Sequence, residues 1–309
     1  TYTGPTVINP TAQERPVVFN PENKRFEPCA LEQAVQQIAI APEGYYVVLK
    51  NPSAKNDHPP PGGVFPSPDL EVGRKINITG PCSFPLWPGQ MVKLVPGHHL
   101  RSNQYLLVRV YNEDEARKHW GQAVIKPASA EGADPTQPIA RAPAELTVGK
   151  LFIIKGTDVS FYIPPTGVGV VPDEHGSYVR DALTLERLEY CILVEQNGKK
   201  RYERGPQVVF PEPTETFIAM DGHRKFKAIE LNEIQGLHVK VIAPYTEGGK
   251  SHREGDEFFL TGKETAIYFP REEHSIVRYD GRDKHFAVAV PAGEARYVMN
   301  RKSGEISMA

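Results

Sequence analysis

Histidines offer the first possible chemistry in this sequence, because neutral imidazole is a common metal ligand. The closest groupings are Asp57-His58, His98-His99, Glu272-Glu273-His274 and Asp283-x-His285. None has the HExxH spacing that places two imidazoles on one helical face. On a strand, His98 and His99 would point to opposite faces and would not share an ion. We therefore expect packed or solvated histidines and no metal site.

The candidate nucleophiles and acid–base pairs also lie outside any recognisable catalytic motif. Cys82 follows Pro81 in an aromatic-rich segment that is typical of a packed turn, and Cys191 alternates with apolar residues in YCILV, as in a core. Paired carboxylates such as Glu186 and Glu189 can act as acid and base, but within strands and turns they more often form a solvated face. The sequence contains no GxSxG, GxxxxGK[ST] or GxGxxG motif. We expect a protein that is not an enzyme and needs no cofactor.

Composition indicates how such residues are positioned. The 309 residues include 29 prolines and 26 glycines, which favours many short strands joined by turns. The 36 basic and 38 acidic residues are balanced, so we expect no nucleic-acid partner, and no apolar run is long enough to span a membrane. Three dispersed cysteines and a first segment without signal-peptide features favour a cytoplasmic protein, or a virion assembled in the cytoplasm.

The individual elements agree with an all-β fold that has one or two short helices. The strand YLLVRVY puts Leu106, Val108 and Val110 on one face, and HVKVIAP does the same with valines. Helices are predicted in CALEQAVQQI (29–38) and in NEDEARKHWG (112–121), where the asparagine and Glu115 form a capping box. The segments 51–69 and 125–143 lack periodicity and are predicted to be long surface loops.

An internal repeat organises the chain. GKLFIIKGTDVSFYIP and GDEFFLTGKETAIYFP, which start at residues 149 and 255, align without a gap at an offset of 106 residues. Apolar residues, glycine, tyrosine and proline recur, whereas charges such as Asp256 and Glu257 do not. The expected repeat core is Phe152, Tyr162, Phe258 and Tyr268. We interpret the pattern as a strand, a turn at Gly156 or Gly262, and a second strand.

Further recurring segments define the predicted domains. Residues 1–40 form an N-terminal arm with a short helix, 41–171 form repeat unit A with two Pro-rich loop insertions, and 172–285 form repeat unit B. Residues 286–309 form a partial third repeat, a C-terminal hairpin. An incomplete repeat exposes an edge that docks on a neighbouring subunit or closes onto repeat unit B. The fold is thus predicted to be a line of small antiparallel β modules.

Three motifs resemble the repeat domains of the major vault protein family. They are GDEFFLTGKETAIYFPRE, LEYCILVEQNGKKRYERGPQVVFPEPTE and GPCSFPLWPGQ, and the resemblance covers about residues 41–309. It implies small β domains in a row, packed beside identical chains into a curved wall, with no catalytic residues. The tryptophan of the family motif is replaced by Phe152 and Phe258, and no long heptad segment corresponds to its shoulder and cap helix.

Candidate contact residues follow from exposure and charge. The basic run contributes Lys199, Lys200, Arg201 and Arg204, and the acidic run contributes Glu113, Asp114 and Glu115. We expect these charges to pair between subunits and to set register more than strength. Trp87, between two prolines, either anchors an interface or closes the core of repeat unit A.

Two functions are favoured at this point, and a third, an enzyme of unknown type, rests on the histidines alone. The first is a structural subunit that assembles with copies of itself into a ring, collar, tube or shell, together with other structural proteins, as in a phage virion. The alternative is a β-scaffold binding module whose loops 51–69 and 125–143 recognise a protein or a glycan.

Overall fold

The computed structural model describes residues 2–20, 22–128, 146–300 and 303–308. The prediction of an all-β chain built from small antiparallel sheets is confirmed. Two compact units are present: Thr1–Leu183 with Phe210–Glu215, and Thr184–Val209 with Thr216–Ala309. The predicted border at 171/172 lies inside the first unit, near its end. In the described part of the chain, no helix is both long and apolar enough to cross a membrane.

Strands fall into four copies of one five-strand plan, which we call modules 1 to 4. Strand b is central, strand c pairs with one of its edges and strand e with the other, while strands a and d pair with each other beside this sheet. The chain order is a, b, c, d, e. Short strands joined in this order bury one small core per module.

The first compact unit contains an N-terminal segment and modules 1 and 2. The N-terminal segment has β1 (Tyr2–Thr3), β2 (Val17–Asn20), β3 (Arg25–Pro28) and a 3₁₀ turn at Leu31–Gln33. Module 1 has β4 (Ala39–Ala41), β5 (Tyr45–Lys50), β7 (Lys75–Thr79), β8 (Cys82–Phe84) and β9 (Met91–Pro96) as strands a to e, with β6 (Gly63–Val64) inserted. Module 2 has β10 (His98–His99), β11 (Gln104–Val110), β13 (Leu151–Lys155), β14 (Val159–Ile163), and β15 (Val168–Val170) with β16 (Val179–Asp181) as a divided strand e. Its insertion contains α1 (Glu113–His119), a 3₁₀ turn at Trp120–Gln122 and β12 (Val124–Pro127).

Modules 3 and 4 follow the same plan. Module 3 has β17 (Leu183–Leu185), β18 (Glu189–Val194), β19 (Lys200–Arg204), β20 (Gln207–Val209), and β21 (Thr216–Phe217) with β22 (Phe226–Lys227). Module 4 has β23 (Ile229–Glu230), β24 (Gln235–Val241), β27 (Glu257–Thr261), β28 (Ile267–Tyr268), and β29 (His274–Ile276) with β30 (Lys284–Phe286). The hairpin β25 (Tyr245–Glu247) and β26 (Lys250–His252) is inserted before strand c. The chain continues into β31 (Tyr297–Met299) and β32 (Ile306–Met308), which pair only with each other among the described strands.

The central strand β5 of module 1 is covered on both faces. In β5, Val47 and Leu49 pack in the core of module 1, whereas Tyr46 on the opposite face packs with Phe161 and Ile163 of module 2. In β11, the predicted alternation is confirmed, because Leu106, Val108 and Val110 are fully buried in the core of module 2. A continuous apolar run is therefore needed in these strands, since consecutive modules of the first unit pack against each other.

One glycine closes each module between strands c and d. The glycines are Gly80, Gly156, Gly205 and Gly262. Each donates its N–H, at 2.7–2.9 Å, to the carbonyl of the first residue of strand b. A Cβ at Gly156 would lie 1.7 Å from the carbonyl oxygen of Arg101, and at Gly262 it would lie 1.9 Å from that of Asn232. These glycines thus permit a close backbone approach.

The predicted order of a strand, a turn at Gly156 or Gly262 and a second strand is confirmed, but the two strands belong to different sheets. Strands β13 and β14 do not pair with each other, because β13 pairs with β11 and β14 pairs with β10 and β12. In the second copy, β27 pairs with β24 and β28 with β23. The glycine therefore links two sheets of one module.

The two predicted helices have different outcomes. α1 is confirmed, and the side chain of its N-cap Asn112 accepts the N–H of Glu115 at 3.1 Å. The helix predicted at 29–38 is wrong: only the turn at Leu31–Gln33 forms, and Val35 and Ile38 are exposed. One short apolar stripe does not offset the cost of helix nucleation when nothing packs on it.

The loop predictions also need correction. Residues 51–69 include β6, which pairs with β1. The segment predicted as a loop at 125–143 begins inside β12, and its remainder from 129 onward lies outside the described residues. In the arm, Val17–Asn20 forms a strand, whereas the segment 6–9 forms none.

Candidate functional site

Most predicted contact charges have partners inside their own compact unit. Lys200 pairs with Glu272, and Arg201 pairs with Glu203 at 2.6 Å. Arg204 contacts Glu247 at 3.3 Å and also lies over a phenylalanine ring. Lys199 is exposed at the turn before β19. The basic run is thus largely neutralised within the second unit.

The acidic run is engaged in a similar way in the first unit. Glu115 contacts Arg74 at 3.2 Å and His119 at 3.3 Å, and Glu113 pairs with Arg117 at 2.8 Å. Asp114 is exposed in the first turn of α1, where a carboxylate is favoured by the helix dipole. These carboxylates therefore stabilise α1 and its attachment to module 1.

Trp87 is only 5% exposed and packs within the first unit. Its indole N–H donates to the carbonyl of Asp57 at 3.1 Å, and its backbone N–H donates to the Gln90 side chain at 2.9 Å. Both roles expected for Trp87 stay predictions, because it is buried within the first unit and also lines a cavity beside the N-terminal segment. The same contacts fix the start of the loop at 51–69.

The predicted repeat-core residues lie in the cores of modules 2 and 4. Tyr162 and Tyr268 are buried, and Phe152 and Phe258 pack against the same clusters from half-buried positions. The predicted histidine groupings do not act as one site. His58, for example, stacks on Phe84 with ring centroids 3.9 Å apart. No group of three or more His, Cys, Asp and Glu side chains within the described ranges is arranged to hold a metal ion.

A histidine of module 4 instead joins three strands. His274 Nδ1 lies 2.8 Å from the hydroxyl of Tyr268, and its Nε2 lies 2.6 Å from the hydroxyl of Tyr245. A neutral imidazole accepts a hydrogen bond from one phenol O–H and donates its own N–H to the other phenol oxygen. Burial, reinforced by nearby Arg271, lowers the pKa of His274, which favours this neutral form.

Arg271 completes the cluster. Its guanidinium lies 4.4 Å from the ring centroid of Tyr245 and 4.8 Å from that of Tyr202, and it pairs with Glu247 at 2.9 Å. Burial and the neighbouring Glu273 raise the pKa of Tyr202 to about 12. All of these polar groups satisfy one another, so the cluster fastens the inserted hairpin β25–β26 to module 4. Sequence reasoning missed it because its members come from separate segments.

The most unusual surface is the C-terminal hairpin β31–β32. Its apolar side chains are exposed by 53–77%; they are Tyr297, Val298, Met299, Ile306 and Met308. A solvated antiparallel pair normally has one polar face and packs its apolar face on a core. Here the pairing register places Tyr297, Met299, Ile306 and Met308 on one face, and all four are exposed. Exposed apolar clusters of this kind mark interaction sites.

The turn before this hairpin identifies which part of a module it is. Glu294 donates its N–H to the Pro291 carbonyl at 3.1 Å, as Tyr45 does to Pro42 before strand b of module 1. Gly293 and Gly44 both have positive φ in these turns. The pairing Met299–Ile306 then corresponds to Val194–Lys200 in module 3. The hairpin therefore corresponds to strands b and c of a module.

The N-terminal segment contains the complementary part of a module. TGPTVINPTAQE (3–14) parallels RGPQVVFPEPTE (204–215), the end of strand c, the closing glycine and strand d of module 3. The peptide bonds Gly4–Pro5 and Gly205–Pro206 are both cis. Thr11 donates its N–H to the Glu14 carboxylate at 2.7 Å, as Glu212 does to Glu215 at 2.8 Å.

The segment then continues as strand e would, without a central strand beside it. β2 and β3 pair only with each other among the described strands, and Val17 and Phe26 are exposed. Gly4 also differs from the closing glycines, because a Cβ built on it would meet no atom within 4 Å. A cavity of about 580 Å³ remains, lined by apolar side chains that include Ile8, Val17, Phe19, Phe26, Leu31 and Val35.

No protein-family model and no curated protein matches the chain. The geometry described above is therefore the basis for a functional proposal.

Proposed function

We propose that this protein is a non-enzymatic structural subunit that associates with copies of itself into a large ring, collar, tube or shell. The observation that carries the proposal is the exposed apolar hairpin β31–β32 at the end of four tandem β modules. Modules that already stack on each other in the first unit provide a surface that further modules extend. The resemblance to vault repeats, stated above from the sequence, supports the same class of assembly.

The internal polar contacts of the modules also support a structural role. Polar clusters such as that around His274 are internally satisfied and fasten secondary structure, which is the role expected of a scaffold. We also propose that other structural proteins of the same assembly are partners, and that the assembly lies in the cytoplasm or in a virion made there.

The test is the solution mass of the purified chain by light scattering across about a hundredfold range of concentration, with negative-stain imaging. We expect a mass that rises with concentration and discrete closed or tubular particles. A single mass equal to one chain at every concentration, with featureless images, contradicts the proposal.

A binding module is the second candidate, and the fixed loop at 51–69 favours it. Ser53 donates to the Asp57 carboxylate at 2.6 Å, and Trp87 holds the Asp57 carbonyl. A loop held this rigidly pays little entropy on binding a partner. Saturable binding of a protein or glycan that is lost on shortening this loop, by a chain that stays monomeric, would select this candidate.

A further inference from the structure

The exposed hairpin and the N-terminal segment are complementary parts of the same module. The hairpin corresponds to strands b and c, and residues 3–28 contain the counterpart of the closing glycine and the segments that correspond to strands d and e. The d segment, residues 6–8, is not a strand in the single chain. In terms of module 3, Ile306–Met308 correspond to Lys200–Tyr202 of strand c, and Tyr2–Thr3 correspond to its last two residues. The two parts together account for every strand of one module except a.

We propose that β31–β32 of one copy docks into the N-terminal segment of a second copy and completes a fifth module between the two chains. This inference rests on the proposed self-assembly and names the surfaces that carry it. It is a strand-complementation contact, in which main-chain pairing gives affinity and buried side chains give register.

The environment of Gly4 is the first argument for this occupant. In modules 1 to 4 the carbonyl that precedes strand b lies where a Cβ of the closing glycine would be, as Glu186 does at 1.8 Å for Gly205. Around Gly4 that place is open. In the docked pair, the Pro291 carbonyl of the second copy fills it, and the Gly4 N–H donates to the carbonyl of Glu294.

The open apolar cavity is the second argument. Its lining residues Val17 and Phe26 correspond to strand e, which in module 3 packs on the central strand, where Phe226 lies 5.4 Å from the ring of Tyr190. The central strand of module 3 is buried at Ile192 and Leu193. The corresponding residues of the hairpin, Tyr297 and Val298, are exposed, so both halves lack the apolar partner that the other supplies.

The pairing of two different surfaces has a geometrical consequence. Because each copy presents both halves, the contact is head-to-tail, and such contacts repeat until they close into a ring or continue as a filament. If two hairpins paired with each other instead, the assembly would not grow beyond a symmetric dimer.

The decisive variant is Gly4→Ala, with Gly121→Ala as its matched control. Neither glycine has a positive φ, and a Cβ at either position meets no atom within 4 Å in the free chain. We expect Gly4→Ala to keep the melting temperature of the unassociated chain at high dilution and to weaken association at least tenfold by light scattering. Gly121→Ala is expected to change neither quantity. Association of Gly4→Ala equal to that of the unsubstituted chain overturns the proposal.

Disulfide trapping tests the register separately. Thr216 pairs with Val194 in module 3, and the corresponding residues are Arg15 of one copy and Met299 of another. Antiparallel partners lie about 4.5–5.5 Å apart at Cα, within the range that a disulfide spans. With Cys29→Ser and Cys82→Ser in all proteins, a mixture of the Arg15→Cys and Met299→Cys variants should form the mixed disulfide on oxidation. Val72→Cys, at an exposed position of the first unit, should not trap Met299→Cys.

The outcomes separate this inference from the proposed function. Association that persists in Gly4→Ala, with Met299→Cys linking only to itself, rejects head-to-tail docking but leaves self-assembly standing. A wild-type chain that stays monomeric rejects both.

Discussion

At the scale of single residues, buried titratable groups stabilise the modules without forming a reactive site. His98 is 3% exposed and its Nε2 lies 3.2 Å from the hydroxyl of Tyr46. Its other ring neighbour is Tyr178, 5.1 Å away between centroids. Among the described residues, neither of these contacts of the His98 ring is with a carboxylate. Burial therefore lowers the pKa of His98 to about 4.

This depressed pKa predicts acid sensitivity of the first unit. Between pH 6.5 and about 4, the unfolded chain binds a proton at this residue and the folded chain does not, so stability is present above pH 6.5 and falls as the pH falls to about 4. The loss is on the order of 3 kcal/mol. Thermal unfolding from pH 7.5 to 4 should show a shallower decline in melting temperature for His98→Gln than for wild type. Parallel curves for the two proteins would contradict this role.

At the scale of elements, the closing glycine is the most demanding position of each module. Gly156→Ala would place its Cβ against the Arg101 carbonyl, a backbone atom that cannot rotate away. We expect a loss of about 3 kcal/mol or more in the free energy of unfolding, since steric conflicts with backbone belong to the strongly destabilising class.

Gly121→Ala again provides the control for this prediction. Its added methyl meets open space, so stability should change by less than about 1 kcal/mol. Urea unfolding of the two variants measures the difference. If Gly156→Ala were as stable as the control, close approach at the c–d junction would not be what the module requires.

The elements also show which features the sequence could predict. Leu106, Val108 and Val110 were assignable to a core because strand periodicity is local, and α1 was assignable because Asn112 caps its own helix. The helix predicted at 29–38 failed because its apolar stripe lines an open cavity instead of a packed core.

Long-range geometry explains the remaining differences. The turn at Gly156 is predictable from the glycine itself, whereas its contact with Arg101, 55 positions earlier, leaves no local signal. The cluster of Tyr245, Tyr268 and His274 was missed for the same reason, since its members meet only when three strands pack. The candidate surface at β31–β32 was anticipated as an incomplete repeat, but its complement in residues 3–28 became visible only through the environment of Gly4.

At the scale of the whole molecule, the proposed contact is apolar. The basic side chains Lys200, Arg201 and Arg204 have internal partners, whereas the hairpin and the N-terminal cavity are lined by apolar groups. Ion pairs therefore contribute little to association, and burial of apolar surface provides most of it.

Association should accordingly respond to temperature and salt as a hydrophobic contact does. We expect it to weaken on cooling from 25 to 4 °C and to strengthen in sulfate. Sodium chloride between 0.05 and 0.5 M should change it less than threefold, because screening acts mainly on exposed charges. Sedimentation velocity under these conditions measures the change, and the triple variant Lys200→Gln, Arg201→Gln, Arg204→Gln serves as the control. A steep loss in sodium chloride would point to the charges instead.

The glycine that closes each module has a consequence for how such a chain diverges. Closure uses a backbone N–H, a backbone carbonyl and the absence of a Cβ, so it constrains one residue type per module and leaves the others to vary within broad size limits. Copies of the module can lose nearly all sequence similarity while keeping the same fold. Ancestry in such proteins is better sought by superposing their c–d junctions than by matching residues, and modules of different origin that share this junction should be exchangeable by genetic fusion.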